Sequence, residues 1–346
     1  MTSELPSNPV TRTAPGGLGD PTGSVGSTDT PRPGVTGADG TAAGAGSGGD
    51  DGGAGETAPV LAIAIEPGRL SAGLVSQSGS VVVRDRVAMP TRDVWRALER
   101  LVKRVLAAAS AVEPYTAVGV SCVGPIDGRS GTVSPPHIPS WNNFALAEHL
   151  ESLTKRPVVL DSAGGAAAEA ERWLGEAVGR PTYLSVVADA VVDSAVVLHG
   201  RRASGARGNA GSIAHTVVDP GGLDCWCGAQ GCLDPYISTI ALEAEMNRPL
   251  RRAHPSIVDR AGIMLGRAIA SSAAMLDVDT VFVTGSVLDA FGDGVLDTCR
   301  REIRLRSRLP NLASLDVVEP VEHLAPVVRA ASLAVDSGVR PPRPDD

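Results

Sequence analysis

His215, Cys225, Cys227 and Cys232 follow one another in the spacing H-x9-C-x-C-x4-C, with Gly228 and Gly231 between the last two cysteines. Thiolate and imidazole are the donors zinc prefers, and the glycines let the chain turn tightly enough to gather four ligands around one ion. Such a set closes a tetrahedron and leaves no open position, so the ion expected here is structural zinc. The alternative is buried thiols beside a satisfied core histidine, and the Gly-rich, turn-forming setting of Cys225, Cys227 and Cys232 speaks against it. Cys122 and Cys299 have the opposite, apolar context and read as core residues. Asp161 ends the apolar run Pro157-Val-Val-Leu-Asp161 and precedes a small-residue stretch, so by position alone it reads as a strand-end aspartate that caps the following helix.

The elements that would carry these residues are legible from hydrophobic periodicity. Residues 60–65, 71–75 and 80–83 read as a strand meander, with Ser78-Gly79 as a turn signal. Val94, Leu98, Leu101, Val102, Val105 and Leu106 recur at the spacing of one helix face. Residues 118–123 form a further strand, stopped by Gly124-Pro125. Helices are expected over 144–153, 166–174, 241–250 and 257–276, and strands over 158–160, 184–187, 195–198 and 281–284. The alternation is that of an α/β protein.

Gly211-Ser-Ile-Ala-His215, followed by Cys225-Trp-Cys-Gly-Ala-Gln-Gly-Cys-Leu-Asp234, closely resembles the zinc signature of the ROK family (repressor, open reading frame, kinase). Val123-Gly-Pro-Ile-Asp127, residues 139–146 around Trp141, residues 157–161, Val283-Thr-Gly-Ser286 and residues 329–334 are similar to further family segments. The resemblance implies an actin-like ATPase (ribonuclease H-like) fold, two α/β domains around a cleft in which ATP-Mg2+ and a hexose meet. It also implies a homodimer. Residues 1–57 would be a disordered Gly/Ser/Pro-rich tail and 58–157 the N-terminal α/β domain, completed by a C-terminal helix at 324–337. Residues 158–323 would be the larger C-terminal α/β domain with the zinc site, and 338–346 a second disordered tail.

Carried over by resemblance, Asp161 is the base that takes the proton from the attacking sugar hydroxyl. Ser212, His215 and Asp234 stand at sugar-contacting positions, and Gly68 and Gly285 at nucleotide-contacting ones. Several family residues are replaced. Leu160 stands where asparagine is usual, Ser212 where a glutamate is usual, and Asp234 shortens a second glutamate. Leucine cannot hydrogen-bond a sugar hydroxyl. The first phosphate turn reads Ala64-Ile-Glu-Pro-Gly68, where Glu66 brings a negative charge and Pro67 has no N–H to donate. The second falls at Asp189-Ala-Val-Val-Asp193, with no glycine and two acids expected to repel a polyphosphate. ATP-Mg2+ is therefore expected to bind weakly or not at all. The chain reads as a degenerate pseudokinase that binds a sugar derivative or a partner as a regulator. The alternative is an ATP-dependent hexose kinase of glucokinase or N-acetylmannosamine kinase type, with Asp161 as general base.

Composition narrows the remaining classes. A net charge of −8 argues against a globally basic nucleic-acid binder, and residues 1–57 are too rich in Gly and Pro to fold a DNA-binding helix-turn-helix. No run approaches the roughly 18 apolar residues of a membrane span. Five cysteines, three of them within residues 225–232, suit a metal site in the reducing cytoplasm better than a disulfide framework.

Overall fold

The computed structural model describes residues 58–109, 114–306, 309–320 and 323–335, and the tails expected at 1–57 and 338–346 lie outside them. In chain order the strands are β1 Val60–Glu66, β2 Arg69–Val75, β3 Val81–Ala88, β4 Val118–Cys122, β5 Ile126–Asp127, β6 Thr132–Val133, β7 Val158–Ser162, β8 Tyr183–Ala188, β9 Val192–Leu198, β10 Arg201–Arg202, β11 Thr280–Thr284 and β12 Asp316–Val318. The α-helices are α1 Val94–Ala108, α2 Leu146–Thr154, α3 Ala163–Trp173, α4 Asp234–Ile237, α5 Thr239–Met246, α6 Pro255–Leu276, α7 Ser286–Phe291, α8 Asp293–Arg306, α9 Pro310–Ala313 and α10 Pro326–Ser332. None is long and apolar enough to cross a membrane among the described residues.

Two five-stranded sheets share one topology. The first has the order β3-β2-β1-β4-β7 and the second β10-β9-β8-β11-β12. In each, three antiparallel strands are followed by two parallel ones. β1 is an apolar run up to Glu66 because it is buried on both faces. β3 lies at an edge and alternates Val83, Asp85 and Val87 with exposed Arg84 and Arg86. The β1–β2 connection is two residues long, and Pro67 and Gly68 make it: proline fixes its own φ, and Gly68 supplies the positive φ of 81° that a turn of this kind needs at its second centre.

The first sheet packs on α1 and α2 around Leu61, Ile63, Leu98 and Leu101, and the second on α6 and α8 around Val281, Val283, Leu265 and Leu296. The helix expected near the C-terminus is α10, which packs Val327, Val328, Ala330 and Ala331 against Val60 and Ala62 of the first sheet. Gly119 of β4 makes this close approach possible, because a Cβ there would lie 2.0 Å from the Ala330 carbonyl oxygen.

Four expectations are corrected. The domain division at 157/158 falls inside the first sheet, since Val158–Ser162 pairs in parallel with β4, so the crossover comes after Ser162. The helix expected from 144 starts at Leu146, because Phe144 bridges Val133. The one expected to reach 250 stops at Met246, where Asn247 turns left-handed with φ 49° and Pro249 follows. β9 begins three residues earlier than expected, at Val192, so Asp193 is a strand residue and the β8–β9 connection is only 189–191.

Candidate functional site

A cleft of about 620 Å³ lies where the β1–β2 turn, the β8–β9 connection, the end of β11 and α10 converge. Gly68 and Gly285, both expected at the nucleotide, line it. Gly285 has φ 125°, and a Cβ there would lie 2.5 Å from the Ala188 carbonyl oxygen, so only glycine lets β11 turn into α7 beside β8.

The charges in the cleft are arranged differently from the sequence expectation. Asp189 does face it, but as one half of an ion pair: Arg329 Nη2 stands 3.2 Å from Asp189 Oδ2, and Asp189 Oδ1 accepts the Ser286 N–H at 2.7 Å. Burial pushes Glu66 above the usual carboxylate range, with Arg329 opposing and Asp189 adding to the shift. Asp193 also lines the cleft, but its carboxylate is not the free charge the sequence suggested. It is buried, its oxygens accept the N–H groups of Gly164 at 3.0 Å and Ser194 at 2.8 Å, and burial raises its pKa. Among the described residues Arg329 Nη1 is buried without a hydrogen-bond partner, which leaves the cleft a spare cationic donor.

Asp161 is the penultimate residue of β7, opposite Ser121 of β4. Its Oδ1 accepts the Ser162 N–H at 2.6 Å, and its Oδ2 lies 2.6 Å from Arg202 Nε, with side chains 7% and 9% exposed. Burial pushes its pKa up to about 7, the Arg202 guanidinium pulling the other way. The capping role that the sequence allowed Asp161 belongs to its neighbour: Ser162 Oγ accepts the Gly165 N–H at 3.0 Å and caps α3. Sequence reasoning missed Arg202. Its only signal is a pair of arginines after Gly200, and only the antiparallel register of β10 on β9 brings it to Asp161.

The first residues of β9 gather the other expected site residues. Val192 donates its N–H to Asp234 Oδ1 at 2.7 Å, so the buried Asp234 carboxylate already holds backbone, and burial raises its pKa. Ser194 Oγ donates to the Gly211 carbonyl at 2.8 Å and accepts the Ile213 N–H at 2.7 Å, which fixes the chain on both sides of exposed Ser212. The Asp234 N–H in turn donates to the Ala214 carbonyl at 3.0 Å, one residue before His215.

One ligand atom from each of His215, Cys225, Cys227 and Cys232 lies within 4.8 Å of all the others. Cys227 and Cys232 have their sulfurs 3.8 Å apart, and Cys225 Sγ lies 3.5 Å from His215 Nδ1. Zn–S bonds of about 2.3 Å and Zn–N bonds of about 2.0 Å at tetrahedral angles place such pairs about 3.8 and about 3.5 Å apart. The donor set and its spacing therefore fit a tetrahedral ion. Gly231 is needed for that shape, with φ 74° and a Cβ position 1.9 Å from the Asp219 carbonyl oxygen. The Trp226 ring stands edge-on to His215 at 4.7 Å.

Two α/β sheets of like topology with a cleft lined by both define an actin-like ATPase fold of the sugar-kinase kind, and Asp161 and the Cys/His cluster are not among the residues lining that cleft. The chain matches the ROK family over residues 61–336 and belongs to it. It is 31% identical to a glucokinase of Thermotoga maritima over 54% of this chain, a stretch that spans 60% of that enzyme. It is 27% identical to an N-acetylmannosamine kinase of Yersinia pseudotuberculosis, over 75% of this chain and 92% of that one. The crystal structure of a ROK hexokinase from Thermus thermophilus superimposes with a TM-score of 0.64 at 27% identity, covering 79% of this chain and 97% of the hexokinase. The protein is thus sugar-kinase-like in sequence and fold.

Proposed function

We propose that this chain is a ROK-family pseudokinase, a regulator that binds a sugar derivative or a partner in its cleft without efficient phosphoryl transfer. The observation that carries this reading is the buried pair of Asp161 and Arg202. A general base must offer a free lone pair within about 2.6–3.2 Å of the hydroxyl it deprotonates. Here one carboxylate oxygen accepts a backbone N–H and the other faces a guanidinium, so a sugar hydroxyl would have to compete with both for the lone pairs that remain. The phosphate side supports the same reading. Transfer depends on positioned cations and N–H donors around the phosphates, whereas Pro67 offers no N–H and the Asp189 carboxylate lines the cleft.

The Cys/His cluster is read as a structural zinc site, with His215 committed as a ligand. ATP-Mg2+ is expected to bind weakly at most. We also propose that it acts in the cytoplasm, on its cysteine usage, and as a homodimer, as the family resemblance implies.

Two observations favour the runner-up, an active hexose kinase. A carboxyl with a pKa of about 7 is well matched to general-base work at neutral pH, and the unpartnered Nη1 of Arg329 would suit a phosphate oxygen. A coupled assay with ATP-Mg2+ over glucose, N-acetylmannosamine and related hexoses separates the two. Turnover near background is expected. A kcat of about 1 per second or more, abolished by Asp161→Asn, would establish the kinase instead.

A further inference from the structure

A second cavity, of about 320 Å³, opens on the far side of the β1–β2 turn. Its floor is small, Ser71 on β2 with Gly73 beyond it, and the Arg86 and Arg84 side chains rise from the paired positions of β3. Arg69 stands at the end nearest the turn, and Ala325, Pro326 and Val327 form the facing wall. Glu66, Arg69, Ala325 and Pro326 line this cavity and the main cleft alike, so the two spaces adjoin.

The charge in it is unbalanced. Asp85, between the two arginines of β3, is engaged by Arg104 of α1 at 2.7 Å. Among the described residues neither Arg84 nor Arg86 has a side-chain hydrogen bond or ion pair, and Arg69 stands opposite Glu66 across the turn. Charged side chains on an edge strand also serve to block sheet-to-sheet aggregation. That role needs neither a third arginine on the neighbouring strand nor a walled cavity in front of all three.

We propose that this pocket is a binding site for a phosphorylated small molecule, held through its phosphate by Arg69, Arg84 and Arg86. Guanidinium groups match phosphate oxygens two at a time, and three of them suit a dianion better than a single carboxylate. The volume is at the lower end of the range for small-molecule sites. Because Arg69 and Glu66 belong to both spaces, a phosphate held here would draw Arg69 toward itself and change the charge at the mouth of the cleft. The proposal does not depend on whether the cleft transfers phosphate.

Titration calorimetry on the full chain at constant ionic strength tests it, with glucose 6-phosphate and inorganic phosphate as probes and glucose as control. Saturable binding of glucose 6-phosphate at one site per chain is expected, weakened at least about tenfold in Arg84→Gln/Arg86→Gln, while the response to glucose is unchanged. Arg84→Lys/Arg86→Lys, which keeps the charge and loses the two-point geometry, should give an intermediate loss and serves if the glutamine variant aggregates. No saturation below about 10 mM, or equal affinity in the wild type and both variants, overturns the proposal. The second result would move any phosphate site to the main cleft.

Discussion

Arg202, on the edge strand of the second sheet, places its Nε 2.6 Å from Oδ2 of Asp161, at the end of the edge strand of the first. The pair joins the two sheets. Removing one partner of a buried pair typically costs about 3–5 kcal/mol, because the other is left uncompensated. Arg202→Met should therefore lower the melting temperature, and Asp161→Asn/Arg202→Met should recover much of the loss. A double variant no more stable than Arg202→Met would show that the two residues are not coupled.

Stability should rise as pH falls from 8 to 6.5. Asp161 has a folded pKa raised to about 7 from an ordinary 3.8, so its contribution grows as pH drops through 7 and would be complete only below 3.8. Burial shifts Glu66, Glu169, Glu171, Asp193 and Asp234 in the same direction. His137 acts oppositely, since burial lowers it to about 4 from 6.5 and its contribution is lost only as pH falls below 6.5. Calorimetric melting at the two pH values should show the rise, and Asp161→Asn should reduce it. An identical rise in wild type and variant would assign the effect to the other carboxyls.

Freshly purified, reduced protein should contain one zinc per chain, and chelation should lower its melting temperature. Structural zinc contributes an apparent ~10–16 kcal/mol in small peptides, of which a domain with its own core would feel a part. Cys232→Ser, at a buried ligand, should abolish retention of the metal. Elemental analysis showing no metal in the reduced wild type would refute the site.

Gly164→Ala and Gly119→Ala should each destabilise by about 1–3 kcal/mol or more. The new methyl would fall 2.4 Å from the Ser194 backbone nitrogen in the first case and 2.0 Å from the Ala330 carbonyl oxygen in the second. Both are contacts with backbone that no rotamer change relieves. Gly128→Ala, with only an ordinary contact at 3.6 Å and no positive φ, is the control and should be near neutral in chemical denaturation.

The sequence by itself determined the Cys/His cluster and most elements, because both are local properties. The four residues between His215 and Cys232 can be read from spacing, and the stripe from Val94 to Leu106 is the amphipathic pattern that α1 buries. Family motifs extended that reading to the cleft, and Gly68 and Gly285 do line it. Only the tertiary structure decided where the charges go. Asp193 looks like a phosphate-loop acid in the sequence, yet the β8–β9 register buries it on α3. Asp189 meets Arg329 from 140 residues away, and Arg202 meets Asp161 only because β10 folds onto β9. Likewise β7 joins the first sheet by pairing with β4, a choice its own residues do not specify. Hydrophobic periodicity reports which face of an element is buried. It carries no information about which distant strand lies beside it, and that pairing sets the neighbours of every charge in the cleft.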